Sequence, residues 1–186
     1  KFGERLFNSF RNENIEYIFV NDGSTDGSEK WLENLSKKNK NKIKFVNLNQ
    51  NTGKGNAIHK GIEIATSDYI LFQDADLEYD PIEYNNLFRP ILEHNADIVM
   101  GSRFSAPSIT RVSYFWNKLG NQTITFFFNL LNNTTFTDIY SCYLMYRRSL
   151  VDPKNLTALG WEQHAEILAK AIKNAGAVYE VPISYH

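Results

Sequence analysis

Eight residues constrain this chain more than any others. Tyr69-Ile70-Leu71-Phe72-Gln73-Asp74-Ala75-Asp76 runs from a bulky, uncharged stretch straight into two carboxylates spaced one residue apart. A short apolar run bounded by polar residues reads as a buried strand of a parallel sheet. At its carboxyl end the chain has to emerge on the rim of that sheet. Alternate side chains of extended chain share one side. Asp74 and Asp76 are therefore expected to face one spot beyond the strand, where open α/β sheets bind ligands. Two close carboxylates repel each other unless a cation lies between them. A hard divalent metal with a diphosphate on its far side meets that demand; a solvated acidic turn is the plainer alternative.

The rest of the chain repeats the strand-then-loop pattern. Phe2, Leu6, Phe7 and Phe10 have helical spacing, so the periodicity predicts an amphipathic helix over residues 1–12. Ile15–Val20 is the next strand, and it runs into Asn21-Asp22-Gly23-Ser24-Thr25-Asp26-Gly27-Ser28. A capped helix carrying Trp31, Leu32 and Leu35 follows. The strand Ile43–Leu48 ends in the glycine-bearing loop 49–55, which enters a helix with Ile58, Ile62 and Ala65 on its apolar face. Beyond Asp76 come a Pro81-initiated helix to about His94 and a strand at Asp97–Gly101. This alternation predicts a doubly wound, mostly parallel α/β sheet flanked by helices. Every polar loop named follows a strand, so all should gather on the rim that holds Asp74 and Asp76.

The second half is more aromatic. Val112–Leu131 is expected to be a helix bearing Tyr114, Phe115, Trp116, Phe126, Phe127 and Phe128. That face suits either packing on the sheet or docking at a lipid interface. Strands are expected at Asp138–Tyr146 and Val178–Tyr185, with a helix at Trp161–Asn174 between them.

Composition excludes several functions. The 186 residues suit one domain, and with 42% hydrophobic and 14% aromatic residues the chain is not disordered. A net charge of -1 with no long basic stripe argues against a nucleic-acid partner. The single cysteine, Cys142, excludes an internal disulfide and reads as a small core residue. No apolar run is long enough to span a bilayer. Four histidines occur without metal-ligand spacing and are expected to be structural or solvated.

The loops carry the chemistry. Thr52-Gly53-Lys54-Gly55 turns under glycine into a helix start. It suits a phosphate bound by amides and Lys54, or a simple helix cap. Asp22 suits a nucleoside contact or an Asx turn. Arg103 and Arg111 suit bidentate phosphate binding or an ordinary surface role.

Together these motifs are more specific than singly. Phe19-Val20-Asn21-Asp22-Gly23-Ser24-Thr25-Asp26-Gly27-Ser28, Asn51-Thr52-Gly53-Lys54-Gly55-Asn56-Ala57, Gln73-Asp74-Ala75-Asp76-Leu77-Glu78 and Gly101-Ser102-Arg103-Phe104 occur in this order. The chain resembles the family-2 inverting glycosyltransferases of GT-A fold. The branch it resembles most is that of dolichol-phosphate mannose synthase and undecaprenyl-phosphate glucosyltransferase. Thr137-Asp138-Ile139-Tyr140-Ser141-Cys142-Tyr143-Leu144-Met145-Tyr146-Arg147-Arg148 and the closing Glu180-Val181-Pro182-Ile183-Ser184-Tyr185-His186 are similar to that branch too.

The resemblance implies one catalytic domain over 1–186 that moves a hexose from a nucleoside diphosphate sugar to a polyprenyl phosphate. It implies a site at the cytoplasmic membrane face and a Mg²⁺ or Mn²⁺ cofactor. Asp76, Asp138, Arg103 and Arg111 form the implied catalytic set, and Asp22, Gly53, Lys54 and Asp74 the donor-binding set. Asp74, Asp76 and Glu78 would hold the metal, Asp138 matches an acidic position at the acceptor side of the pocket, and Glu166 matches the acidic position in the late helix. A phosphate acceptor is already anionic, whereas a hydroxyl acceptor would need a base, with Asp138 the first candidate. A saccharide hydroxyl as acceptor and a non-catalytic nucleotide-sugar-binding module are the alternatives; a membrane surface and an oligomer are both compatible.

Three departures stand out. Asn21 replaces the commoner first Asp of its motif, and Gln163-His164-Ala165-Glu166 replaces a segment more often Phe-Glu-Pro-Glu. The family's first strand, expected between the strand ending at Asp22 and the strand ending at Asp74, has no counterpart here. The sequence is therefore expected to be a fragment of a longer protein, lacking that strand and any later membrane segment, with weak or no activity alone.

Overall fold

The structure, a computed structural model, describes residues 14–76, 78–105, 111–112 and 114–185. The amphipathic segment 1–12 lies outside them. In chain order come strand β1 (Tyr17–Asp22), helix α1 (Ser28–Lys38), β2 (Ile43–Leu48), α2 (Lys54–Ile64) and β3 (Tyr69–Leu71). Then follow α3 (Tyr84–His94), β4 (Ile98–Ser102), α4 (Phe115–Asn132), β5 (Leu144–Arg147), α5 (Gln163–Ile172) and β6 (Val178–Pro182). The α/β alternation read from periodicity is borne out.

The core sits on the second half of the sheet. Every residue of β4 is buried, as a strand covered on both faces requires. Ile98, Met100, Tyr143, Leu144, Met145, Ile167 and Leu168 are among its fully buried side chains. A Cβ on Gly101 would lie 3.0 Å from Ile183 and Tyr143 atoms, so glycine lets those two close over the strand.

The sheet is mixed. β5 runs antiparallel to both β3 and β4, while β4 pairs parallel with β6, giving the order β3-β5-β4-β6. β1 and β2 form a separate parallel pair, from Tyr17 opposite Ile43 to Asp22 opposite Leu48. Among the described residues no ladder joins β1 to β3. The break falls where the resemblance places a further strand. Glu16, just before β1, ties the two parts together: it accepts from the Thr66 amide and hydroxyl, each at 2.9 Å, and pairs with Lys44.

One expected element is much shorter than the pattern suggested. Residues 138–143 are not strand, and β5 begins only at Leu144. Side chains have captured the backbone there. The Cys142 amide donates to the Tyr79 hydroxyl (3.2 Å), the Tyr143 amide to Ser141 Oγ (3.3 Å), and the Asp138 amide to Glu180 (3.3 Å). Such bonds satisfy amides that a ladder would otherwise need.

Candidate active site

The rim loops converge as expected, and each carboxylate already has a partner. Asp22, the last residue of β1, accepts from the Thr52 amide (2.8 Å), the Thr52 hydroxyl (3.0 Å) and the Gly53 amide (2.9 Å). It thus clamps the loop that opens α2. Gly53 holds φ +96° at the helix start, a conformation suited to glycine. Gly55 donates to the Leu159 carbonyl at 2.9 Å, and a Cβ there would collide with the Leu159 backbone. The Gly53 and Gly55 amides are thereby engaged by protein groups, as a helix cap requires. What the loop presents to the rim is Lys54, whose ammonium lies 2.7 Å from Asp74 Oδ2 and 4.9 Å from the centre of the Trp161 ring.

Gln73 positions the acidic loop. Its amide nitrogen donates to the Asp74 carbonyl (2.8 Å), and its oxygen accepts from the hydroxyls of Tyr84 (3.0 Å) and Tyr143 (2.7 Å). Asp74 is half-buried, whereas Asp76 is exposed and accepts from the Glu78 amide at 3.0 Å. The Glu78 carboxylate points elsewhere, to the Tyr185 hydroxyl (2.7 Å) and Arg111 (3.8 Å). Among the described residues no three acidic, His or Cys side chains form a metal cage. Asp74 and Asp76 fit a hard cation of the kind held by one or two carboxylates plus substrate phosphate oxygens. Glu78 is held by Tyr185 and Arg111.

The second cluster centres on Arg103. Its Nε and Nη2 grip Asp138 at 2.7 and 2.9 Å, and its own amide donates to the same carboxylate at 3.2 Å. Asn121 of α4 adds a fourth donor at 3.0 Å. Asp138 is 0% exposed. Burial opposes the guanidinium charge of Arg103, but the bonds and charge of Asp138 outweigh it and push its pKa up. Asp138 is itself placed by a relay. Glu180 accepts from the Thr137 amide and hydroxyl, so the 2.6 Å contact between Ser102 and Thr137 must be donated by Ser102. Arg103 and Arg111 lie 5.4 and 5.9 Å from the Tyr185 ring centre, so one aromatic ring neighbours both cations.

Glu166, matched by resemblance to the acidic position in the late helix, holds the loop before Trp161. Its carboxylate accepts from the Thr157 and Ala158 amides and the Thr157 hydroxyl, and pairs with Lys170 at 2.6 Å. Burial works against its ionisation, but the bonds from Lys170, Ala158 and Thr157 together lower its pKa to about 2. Cys142 is buried; burial, with Asp74 nearby, pushes its thiol well up, so it stays a neutral core residue.

Two residues escaped the sequence reading. Tyr185 bonds Glu78 and faces both arginines, and only its place in the closing Pro182-Ile183-Ser184-Tyr185 run marked it. His164 lies beneath the site, its ring 5.7 Å from Phe72, and Nε2 meets no hydrogen-bond partner among the described residues. Burial, helped by Lys54, lowers its pKa to about 4 against the opposing charges of Asp74 and Asp138, so the imidazole is neutral.

Comparison with known proteins shows the family and the fold. The model of "Glycosyl transferase family 2" matches residues 4–153. Dolichol-phosphate mannosyltransferase of Pyrococcus furiosus is 26% identical over 183 residues, covering 97% of this chain and 51% of that protein. Glucosyl-3-phosphoglycerate synthase from Mycobacterium tuberculosis, solved with Mn²⁺, uridine diphosphate and glucosyl-3-phosphoglycerate, superposes with a TM-score of 0.65 at 18% identity, covering 91% of this chain and 59% of that one. TarS of S. aureus, residues 1–349, gives 0.61 at 19% identity, covering 97% and 54%. The chain thus spans roughly half the length of these relatives.

Proposed function

Because the chain belongs to glycosyl transferase family 2, we propose that it carries the site of a metal-dependent inverting transferase that moves a hexose from a nucleoside diphosphate sugar to a polyprenyl phosphate. The observation that carries the acceptor assignment is the state of Asp138. A hydroxyl acceptor needs a base, and Asp138 was its first candidate. Here that carboxylate is fully buried and takes four donors, three of them from Arg103. Both of its oxygens are already taken by these donors. It is well placed, however, to hold Arg103 rigid beside Arg111. A phosphate acceptor is already an anion, needs no base, and suits a pair of guanidinium groups.

On the donor side, Asp74 and Asp76 would hold Mg²⁺ or Mn²⁺. The bound ion would neutralise charge growing on the leaving diphosphate. Lys54 stands beside Asp74, within reach of the same diphosphate. Asp22 and Gln73 keep the two donor loops in register through the bonds given above. The sequence similarity to dolichol-phosphate mannosyltransferase along most of the chain supports the lipid-phosphate reading and a site at the membrane face. A screen of nucleoside diphosphate sugars with polyprenyl phosphate, with and without Mn²⁺, tests it. Metal-dependent release of nucleoside diphosphate that rises with the lipid phosphate is expected. Equal release with a saccharide acceptor and none with the lipid phosphate would overturn the assignment.

A further inference from the structure

The loop that leads into α5 leaves a tryptophan standing at the site. Trp161 is 73% exposed, although an indole is among the largest apolar groups a core can bury. A lone exposed apolar residue is ordinary on any surface. This one sits on a loop with little freedom. Glu166 takes the Thr157 and Ala158 amides, and Lys170 donates to the Asn155 carbonyl. The Leu159 carbonyl accepts from the Gly55 amide at 2.9 Å, and Glu162 accepts from the Gly160 amide at 3.2 Å. The loop is thus fixed to α5 and α2 by its own protein contacts. Ordering a loop is a cost that binding otherwise has to meet, and here it is met in advance.

Its neighbours set the indole next to the donor diphosphate. Asp22 holds Thr52 and Gly53, and Lys54 follows them in the chain. The Lys54 ammonium lies 2.7 Å from Asp74 and 4.9 Å from the centre of the Trp161 ring. Asp22, then Lys54 with Asp74, then Trp161 succeed one another by contact, matching the order nucleoside, diphosphate, hexose in a donor. Three residues beyond Trp161, His164 lies within reach of the charges of both ion pairs, Lys54 with Asp74 and Arg103 with Asp138. Trp161 therefore borders the space between the cation that meets the diphosphate and the arginine that meets the acceptor. A hexose in transfer has to lie in that space.

We propose that Trp161 is the platform on which the donor's hexose stacks, and so a specificity-determining residue of this site. A pyranose carries its hydroxyls around its rim and C–H groups over its faces. Those hydrogens are weakly positive and meet the negative face of an aromatic ring. The same ring attracts the Lys54 ammonium. One side chain thus orders the cation beside the diphosphate and seats the sugar attached to it. The proposal rests on the donor half of the reading above and is independent of the acceptor.

Calorimetry of the full chain with Mn²⁺ tests it, using UDP-glucose, GDP-mannose, ADP-glucose and dTDP-glucose, each against its bare nucleoside diphosphate. For the pair that the wild type binds, Trp161→Ala should weaken the sugar nucleotide about tenfold, the scale of one lost aromatic stack. It should weaken the bare diphosphate less than about twofold. Trp161→Phe should recover most of the lost affinity, and neither variant should lower the melting temperature. An equal loss for both ligands would mean that Trp161 only orders Lys54, and unchanged affinity for both would remove it from the site. Either result would overturn the proposal and leave the donor reading standing. So would unchanged donor affinity with a raised KM for polyprenyl phosphate, which would put the lipid chain on the indole. Wild-type protein that binds no sugar nucleotide of the panel would refute the donor reading, and this proposal with it.

Discussion

The Lys54 ammonium lies 2.7 Å from Asp74 Oδ2, so the first carboxylate of the acidic pair already has a cation. A divalent ion arriving at Asp74 has to share that carboxylate or displace the lysine. A donor diphosphate offers Lys54 another anion and so couples nucleotide binding to metal binding. Lys54→Met should therefore raise affinity for Mn²⁺ alone about threefold to tenfold, on the order of 1 kcal/mol for a partly exposed pair, while weakening nucleotide diphosphate binding. Electron paramagnetic resonance titration with Mn²⁺ and no nucleotide reads the first effect. Unchanged Mn²⁺ affinity would remove Lys54 from this role.

Asp76 and Glu78 should behave differently. Asp76 is exposed and accepts one backbone bond, from Glu78. Asp76→Ala is expected to change stability by no more than about 0.5 kcal/mol while abolishing metal-dependent donor binding. Glu78→Gln should keep that binding, because Glu78 is held by Tyr185 and Arg111. Calorimetry with nucleotide and Mn²⁺ distinguishes them; equal losses in both variants would return Glu78 to the metal site.

Asp138→Asn leaves a largely buried guanidinium without its counter-charge. Removing one partner of such a pair costs about 3–5 kcal/mol, so a clear drop in melting temperature is expected. In the fraction that remains folded, transfer to lipid phosphate should fall at least a hundredfold while donor binding persists, because only the arginine side is disturbed. Full transfer activity in a folded Asp138→Asn protein would show that Arg103 does not depend on it.

Glu166 should shape the acid limb of stability. Its pKa is about 2 in the fold against 4.5 for an ordinary glutamate. The folded value is the lower one, so its contribution is present in full above about 4.5 and is lost as pH falls toward 2. Glu166→Gln should cost roughly 1.5–3 kcal/mol at neutral pH, the range for hydrogen bonds to a charged group. It should also flatten the stability curve between pH 4.5 and 2. Urea unfolding across that range measures both; an unchanged slope would mean that the carboxylate is not engaged in solution.

Much of the site was legible because its geometry is local. An uncharged run followed by alternating acids, and glycine loops after strands, place Asp22, Gly53, Lys54, Asp74 and Asp76 on one rim whatever the details of packing. The partners of Glu166 and Glu78 were not legible for the opposite reason. Glu166 was placed only by its position in the late helix, and two backbone amides of the preceding loop reach it. Glu78 follows Asp76 by two residues but bonds Tyr185, 107 residues away. The missed strand boundary at 138–143 has the same origin, since no periodicity reveals that Tyr79 and Glu180 will take those amides.

The sequence by itself determined the α/β alternation, the rim on which the loops gather and most of the helix expected over 112–131, which the fold forms from Phe115 to Asn132, because backbone preference and hydrophobic period act between near neighbours. Only the tertiary structure decided which charge neutralises which. Lys54 meets Asp74 across 20 residues, and Arg103 meets Asp138 across 35. It also decided which side of α4 faces the solvent: a helix wheel shows two faces and does not say which one packs. Electrostatic and packing energies depend on distance in space, and that distance is set when the whole chain folds.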